Sequence, residues 1–525
     1  MNSIKKILLT LSLLTLTYSA NSQTYGNEWI NYNQDYYDFK IVQDGIYQLD
    51  YSTLVNAGIP VNSFQSENIQ IFGREKEIPL IIYDGGDSSM DPGDYILFYA
   101  ERNDGWLDET IYDGTTKPAN PDYSLYNDTI SYFFTWNSST SNLRFNVESD
   151  VNYAAYSSIE NYILFESKYS ANNEYHEGEK LSTTSSSFYK PGEGWGSPKV
   201  NGASGTGYST NIGLNTPFPY TDAGSPNARF LAHSLSASNA SYSGSGNHHL
   251  KWEIGNSYYE ALDTIYTGYR QIICDKSFSS TIISNGSTNI RWSIIHDQGA
   301  ATDYQAYNYM LLEYPRQVNF GGLNALNFKI NNNAQGKVRL DVTNVNYNDP
   351  IMLVLGTNPK LIPFEANGAY YSALIPNSTD GSIQEVIYKD RALVINVSSL
   401  EPVTTTAKFT DYSSLNMENA LLFVYHSSLK NATDEYKTYR ESNAGGNYNV
   451  IAADVDELYH QFGGGIEKHI NGIRRFAHYI YNSSTSKPVG LYLIGKGIRE
   501  ADYNAITSDG PGTRKSPSRF QQSLI

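Results

Sequence analysis

The chain has 525 residues, 40% of them hydrophobic, and a formal net charge of −17. That charge argues against non-specific binding to nucleic acid or to an anionic membrane face. The length exceeds what one domain usually holds, and 45 tyrosines set among plentiful Asn, Ser, Thr and Gly favour strands over helices.

The N-terminus reads as a secretory signal peptide over residues 1–22. Lys5 and Lys6 supply the positive start and Ile7 to Leu16 an apolar or hydroxylic run. Ala20 and Ser22 then fit the small-residue rule, with cleavage before Gln23. The run is far short of the roughly 20 residues a bilayer span needs, and no later stretch qualifies. The expectation is a soluble mature chain in the periplasm, at the cell surface or outside the cell, with no transmembrane span.

Residues 23–150 read as a first β domain. Phe39 to Val42 and Ile46 to Leu49 flank Asp44-Gly45, a hairpin signal. Further strands are expected at Ile69 to Phe72 and Ile78 to Tyr83, and a brief helix at Tyr51 to Ala57. Asp84, Asp87, Asp91 and Asp94 sit on a Gly-, Ser- and Pro-containing loop. Clustered oxygen ligands on such a loop suit Ca²⁺, though the spacing is not that of an EF-hand, and a solvated acidic turn is the competing reading. Asp104, Asp108, Glu109 and Asp113 form a second acidic group.

Residues 151–405 read as a larger antiparallel domain of sandwich or jelly-roll type. Strands are expected at Leu250 to Ile254, Tyr269 to Ile273, Asn289 to Ile295, Tyr307 to Tyr314, Val338 to Val342, Ile351 to Leu355 and Ala392 to Val397. Ser182 to Tyr220, rich in Ser, Gly and Pro, reads as a long loop. Cys274 is the one cysteine of the chain, so no intramolecular disulfide can form. It falls in a strand-like run and reads as a small buried hydrophobe. The adjacent His248 and His249 point to opposite sides of their strand.

From residue 410 the pattern changes. Ala420 to Tyr425 is a continuous apolar run, as in a strand covered on both faces. Leu429, Ala432, Tyr436 and Tyr439 follow at helical spacing. Val450 to Val455 is a second strand. Ile466, Ile470, Ile473, Ala477 and Ile480 make an amphipathic helix after Gly463-Gly464-Gly465, on which His469 and His478 cannot share an ion. Val489 to Ile494 is a third strand. Strand–helix–strand–helix–strand implies parallel strands with right-handed crossovers. Three are few for an open α/β sheet, so residues 410–525 read as the start of a longer α/β domain. Gly495-Lys496-Gly497 lacks the rest of a phosphate loop and reads as a tight turn.

These segments resemble the gingipain-type cysteine peptidases, family C25, and within them the sortase branch of type IX secretion. The resemblance is carried by Tyr36 to Ile41 with Asp44 to Leu49, Asp91 to Tyr99 with Asn103-Asp104-Gly105, and Glu313-Tyr314-Pro315-Arg316. Leu340 to Thr343, Asp456 to Phe462, Ile473-Arg474 and Leu491 to Gly495 add to it. It implies a caspase-like α/β domain after the β domains, and acyl transfer by a His–Cys dyad acting on protein or peptide substrates. The dyad falls after Ile525 by the same resemblance, so no catalytic residue is assigned here. No cofactor is implied, and other secretion-system proteins are expected partners. Lys496 stands where the family commonly has aspartate. The competing reading is a non-catalytic, β-rich surface or secretion-apparatus binding module. Abundant aromatics also leave open carbohydrate binding by residues 151–405, which rests on fold analogy alone.

Overall fold

The computed structural model describes residues 24–112, 117–179 and 188–495. The signal peptide, Asp113, Lys496 and the rest of the C-terminal expectations lie outside them. The architecture is mainly antiparallel β, followed by an α/β unit with parallel strands.

The first unit is a two-sheet sandwich. One sheet contains Tyr37–Ile41, Ile130–Trp136 and Ile69–Gly73, the other Gly45–Asp50, Tyr95–Ala100 and Leu80–Tyr83. Alternation fills the space between them: Phe39, Ile41, Ile71 and Phe134 meet Tyr47, Leu49, Ile96 and Phe98. The strands beside Asp44-Gly45 form no hairpin. Tyr37–Ile41 pairs with Ile130–Trp136, and Gly45–Asp50 with Tyr95–Ala100. The turn carries the chain from one sheet to the other, so both strands turn an apolar face into the core, burial that a lone hairpin cannot provide.

The chain also returns to this sandwich late. Ile395–Asn396 pairs in parallel with Gly45–Asp50, and Glu401–Pro402 lies against Tyr37–Ile41. The strand expected over Ala392 to Val397 is thus two residues long, and Val397 and Leu400 fill the first core. Strand pairing therefore crosses the boundary placed at residue 150.

The middle of the chain builds one ten-stranded sheet. A four-stranded sheet covers one end of it around Trp252, Trp292 and Phe230, and a three-stranded sheet covers the other around Phe328, Leu340 and Tyr388. Phe165 packs against both cores. The strand Pro350–Val354 is apolar throughout because both its faces are used. Met352 and Val354 enter the second of those cores. Ile351 and Leu353 meet Ile46, Ile81 and Leu97 on the outside of the first sandwich. Ser182 to Tyr220 is not one loop: among its described residues it holds Glu193–Gly196 and the ten-residue strand Gly207–Thr216. Ile212, Leu214 and Thr216 turn that strand's alternate side inward. Its small uncharged residues concealed it.

The C-terminal unit has three parallel strands in the order Asn449–Asp454, Ala420–Tyr425, Gly490–Ile494. Leu422 and Val424 of the central strand pack with Leu458, Ile473, Phe476 and Ile480, from the helices Val455–Gln461 and Asn471–Ser483. Leu421 and Phe423 face the other way, where Tyr436 of the helix Lys430–Glu441 stacks on Phe423 at 5.3 Å. The apolar repeat beginning at Ile466 is not all one helix. The helix starts at Asn471, while Ile466 enters the core of the first sandwich and Ile470 packs against it. His469 accordingly precedes the helix that carries His478. Among the described residues no helix is long and apolar enough to cross a membrane.

Candidate active-site edge and the clasp that holds it

The three parallel strands present their carboxyl ends together. In an open α/β sheet ligands bind beyond those ends, where the strand order reverses, and the central strand here has its successors on opposite sides. His426 follows the central strand, Asp454 ends its neighbour, and Gly495 follows the third strand.

His426 has a structural task. Its Nδ1 accepts the Ser428 N–H at 3.2 Å and lies 2.8 Å from Ser428 Oγ, capping a short turn of helix. Its Nε2 faces Asp456 at 3.6 Å, an exposed pairing of low energetic weight. Asp454 caps the helix Val455–Gln461 by accepting the Asp456 N–H at 3.1 Å. Burial raises its carboxyl to about 6, with the Asp456 and Glu457 carboxylates adding to the rise. A carboxyl titrating there changes charge just below neutral pH. This edge can hold a cationic group or exchange a proton; among the described residues it carries no cysteine.

A second set of groups fixes the edge against the first sandwich. His469 is fully buried. Its Nδ1 accepts the Asn471 N–H at 3.2 Å, so its Nε2 is the nitrogen that donates, to Asp108 at 3.1 Å. Asp108 also accepts from Leu125 N at 2.7 Å and Ser124 Oγ at 3.1 Å. Burial holds His469 below the usual imidazole range despite this carboxylate. His460 lies edge-on to Phe133, 5.3 Å away, beside Ser131, and burial pushes it down to about 4. Lys40 bonds Ser131 Oγ at 2.7 Å and pairs with Glu467 at 3.1 Å, and Arg475 pairs with Glu75.

The glycine run makes this closeness possible. The Gly465 carbonyl accepts the Ser131 N–H at 2.8 Å, and a Cβ on Gly465 would lie 2.6 Å from the Ser131 carbonyl oxygen. With φ at +79° it also adopts a backbone that side chains disfavour.

The structure does not gather the acidic loop into a metal centre. Asp84 accepts from Ser66 Oγ and Gly86 N, Asp87 from Ser89 N, and Asp94 from the Asp91 N–H. All but the Ser66 contact, which joins residues 18 apart, are turn-closing bonds. Among the described residues, no group of three or more His, Cys, Asp or Glu side chains is arranged to hold an ion. In the second acidic group, Asp104 pairs with Arg74 at 3.1 Å, Glu109 with Lys117, and Asp108 with His469. Cys274 is 2% exposed in the middle core, opposite Ala232, and burial pushes its thiol up to about 12. It is inert. His248 and His249 do point to opposite sides. His248 meets Asp303 at 2.6 Å, and His249 lies between Asp263 and Asp297 at 2.7 and 2.9 Å. The Asp108–His469 clasp escaped sequence reasoning because its members are 361 residues apart.

Three parallel strands with helices on both faces form an α/β unit, a frame that hosts many unrelated chemistries. Residues 414–515, which include this unit, match the model of peptidase family C25. The chain as a whole has a PorU-type fold. It is similar to the crystal structure of dimeric latent PorU from Porphyromonas gingivalis at 11% identity and a TM-score of 0.55. That match covers 93% of this chain and 43% of the PorU chain, so the chain spans less than half the length of that protein.

Two carbohydrate-binding modules also match parts of the chain. The CBM36-1 domain of a multidomain xylanase from the hindgut metagenome of Trinervitermes trinervoides covers 28% of this chain and 95% of its own, at 13% identity and a TM-score of 0.16. CBM36 in complex with calcium and xylotriose covers 22% and 96%, at 14% identity and a TM-score of 0.13. Likeness at that level carries no functional reading. No curated protein matches.

Proposed function

We propose that this chain is the non-nucleophilic portion of a secreted C25-type cysteine peptidase or PorU-like sortase. It builds the first three strands of a caspase-like catalytic sheet and clasps them to a β sandwich. The observation that carries this reading is the C25 match over residues 414–515, on a sheet of three parallel strands. The single cysteine, Cys274, is walled into another core. The nucleophilic thiol of such an enzyme therefore comes from sequence beyond these 525 residues, with a histidine to activate it. Asp454, His426 and Asp456 would then border the bound peptide, and other secretion-system proteins would be its partners at the cell surface.

The test is expression of the full reading frame followed by labelling with a peptidyl chloromethyl ketone. The expected result is one labelled cysteine downstream of Ile525, and no label on the 525-residue chain alone. A frame that stops after Ile525, or label on Cys274, would overturn the proposal; the stop would favour the binding module.

A further inference from the structure

Arg316 closes the Glu313-Tyr314-Pro315-Arg316 run at the end of the strand Tyr304–Gln317. It is fully buried, and among the described residues no other lysine or arginine is buried. Such side chains are almost never enclosed without a charged partner. Half-buried Arg74 and Arg339 have theirs: Arg74 meets Glu101 at 3.0 Å and Asp104 at 3.1 Å, and Arg339 meets Asp341 at 2.7 Å. Arg316 is different. Its Nη2 donates to the Asn319 carbonyl at 2.8 Å, while Nε and Nη1 bond no described residue. Among the described residues the one titratable group acting on it is Tyr314. That phenol already donates to the Pro217 carbonyl at 2.9 Å, and burial raises its pKa, so it stays neutral.

Two rings enclose the guanidinium. Its Cζ stands 4.9 Å from the centre of the Phe165 ring and 5.4 Å from that of Phe218. Phe165 packs against both middle cores, so the charge lies at the seam between them. Phe218 belongs to a strap, residues 217–220, tied down over the arginine. Phe218 N donates to Asn285 Oδ1 at 2.9 Å, Gln317 N to the Phe218 carbonyl at 2.9 Å, and Tyr220 N to the Pro315 carbonyl at 2.8 Å. Gly321 lets the ring close, since a Cβ there would lie 2.7 Å from Phe218 Cε2.

Ring faces attract a cation, but they offset only part of the cost of taking one out of water. A lysine or histidine so placed sheds its proton; a guanidinium cannot. A water molecule satisfies a donor and brings no charge. The countercharge therefore comes from outside the chain. We propose that Arg316, between the Phe165 and Phe218 rings, binds a small monovalent anion such as chloride at its Nε and Nη1. The closeness of Gly321 to the Phe218 ring excludes larger ions.

Bromide, which has the charge of chloride and scatters X-rays anomalously, tests this on the purified protein. Crystals soaked in bromide should show an anomalous peak within hydrogen-bonding reach of Arg316 Nε and Nη1. In solution, replacing gluconate by chloride at constant ionic strength should raise the melting temperature by at least about 2 °C, because a ligand that binds only the folded state stabilises it by mass action. Arg316→Met should fold, as judged by circular dichroism, and lose that response. If Arg316→Met does not fold, the bromide peak and the wild-type response decide. The absence of a peak overturns the proposal, and so does a methionine variant that responds to chloride like wild type. A peak with no effect of chloride on melting means an adventitious ion only, which overturns it as well.

Discussion

Two strands in this protein look alike as sequence and are buried for different reasons. Ala420–Tyr425 and Pro350–Val354 are both continuous apolar runs. The first is a parallel strand with helices on both sides. The second is antiparallel and lies between two sandwiches, giving one side to each. An unbroken apolar run thus reports that both faces are covered. It is silent on whether the cover is helix or sheet, and on whether it comes from near or far along the chain.

Removing one face from each strand is the strongest way to break that equivalence. Phe423→Ala strips the ring on which Tyr436 stacks and should cost about 3–5 kcal/mol. Urea unfolding should show the loss confined to the α/β unit, with the sandwiches intact. Leu353→Ala should cost about 2–5 kcal/mol. Because Leu353 joins the first sandwich to the long sheet, its loss should loosen both together. If both variants melted one and the same cooperative unit, the distinction would fail.

The clasp is the next largest effect. Asp108→Ala leaves the buried His469 Nε2–H and Leu125 N–H without their acceptor, which should cost about 3 kcal/mol. The expected readout is faster limited proteolysis near the Gly463-Gly464-Gly465 turn. Unchanged cleavage there would mean that apolar packing alone holds the units together.

The same joint should be acid-sensitive. His460 and His469 are held below their unfolded value of about 6.5. A depressed histidine is neutral in the folded state while its unfolded form binds protons. Stability is therefore full above pH 6.5 and falls as pH drops below it, for His460 toward about 4. For His460, faced by Asp38, Lys40 and Glu467, the loss at pH 5 should be about 1–2 kcal/mol. Asp454 works the opposite way, since its raised carboxyl favours the folded state on the acid side of about 6. Melting temperatures at pH 7 and pH 5 should fall less for His460→Phe than for wild type; equal slopes would remove His460 from the account. The smallest effect concerns the acidic loop. Adding EGTA should move the melting temperature by less than about 1 °C, because the carboxylates there already close turns. A larger shift would support the calcium reading.

Much of the α/β unit was legible from sequence because its signals are local. Ala420 to Tyr425, the helical spacing from Leu429 to Tyr439, and Val489 to Ile494 each lie within a residue or two of the element observed. Less was legible where partner choice decides. Asp44-Gly45 carries a genuine turn signal, yet the turn separates two sheets. Ile466 keeps helical register with Ile473 and packs somewhere else. Of the edge residues, His426 follows the apolar run Ala420 to Tyr425 and Asp454 falls inside the expected strand Val450 to Val455, with no local sign of a site. Nothing local revealed that burial would lift one carboxyl to about 6 or sink an imidazole to about 4.

By itself the sequence determined the class of most elements, though not of Gly207–Thr216, and the change from β sandwich to parallel α/β. Period and composition act over a few residues, and they persist whatever the fold does. Tertiary structure alone decided which strands share a sheet, where Asp108 finds His469, and that Arg316 is buried between two phenylalanine rings. Those outcomes depend on bringing distant segments together, where burial and unmet hydrogen bonds set the energy and sequence distance does not.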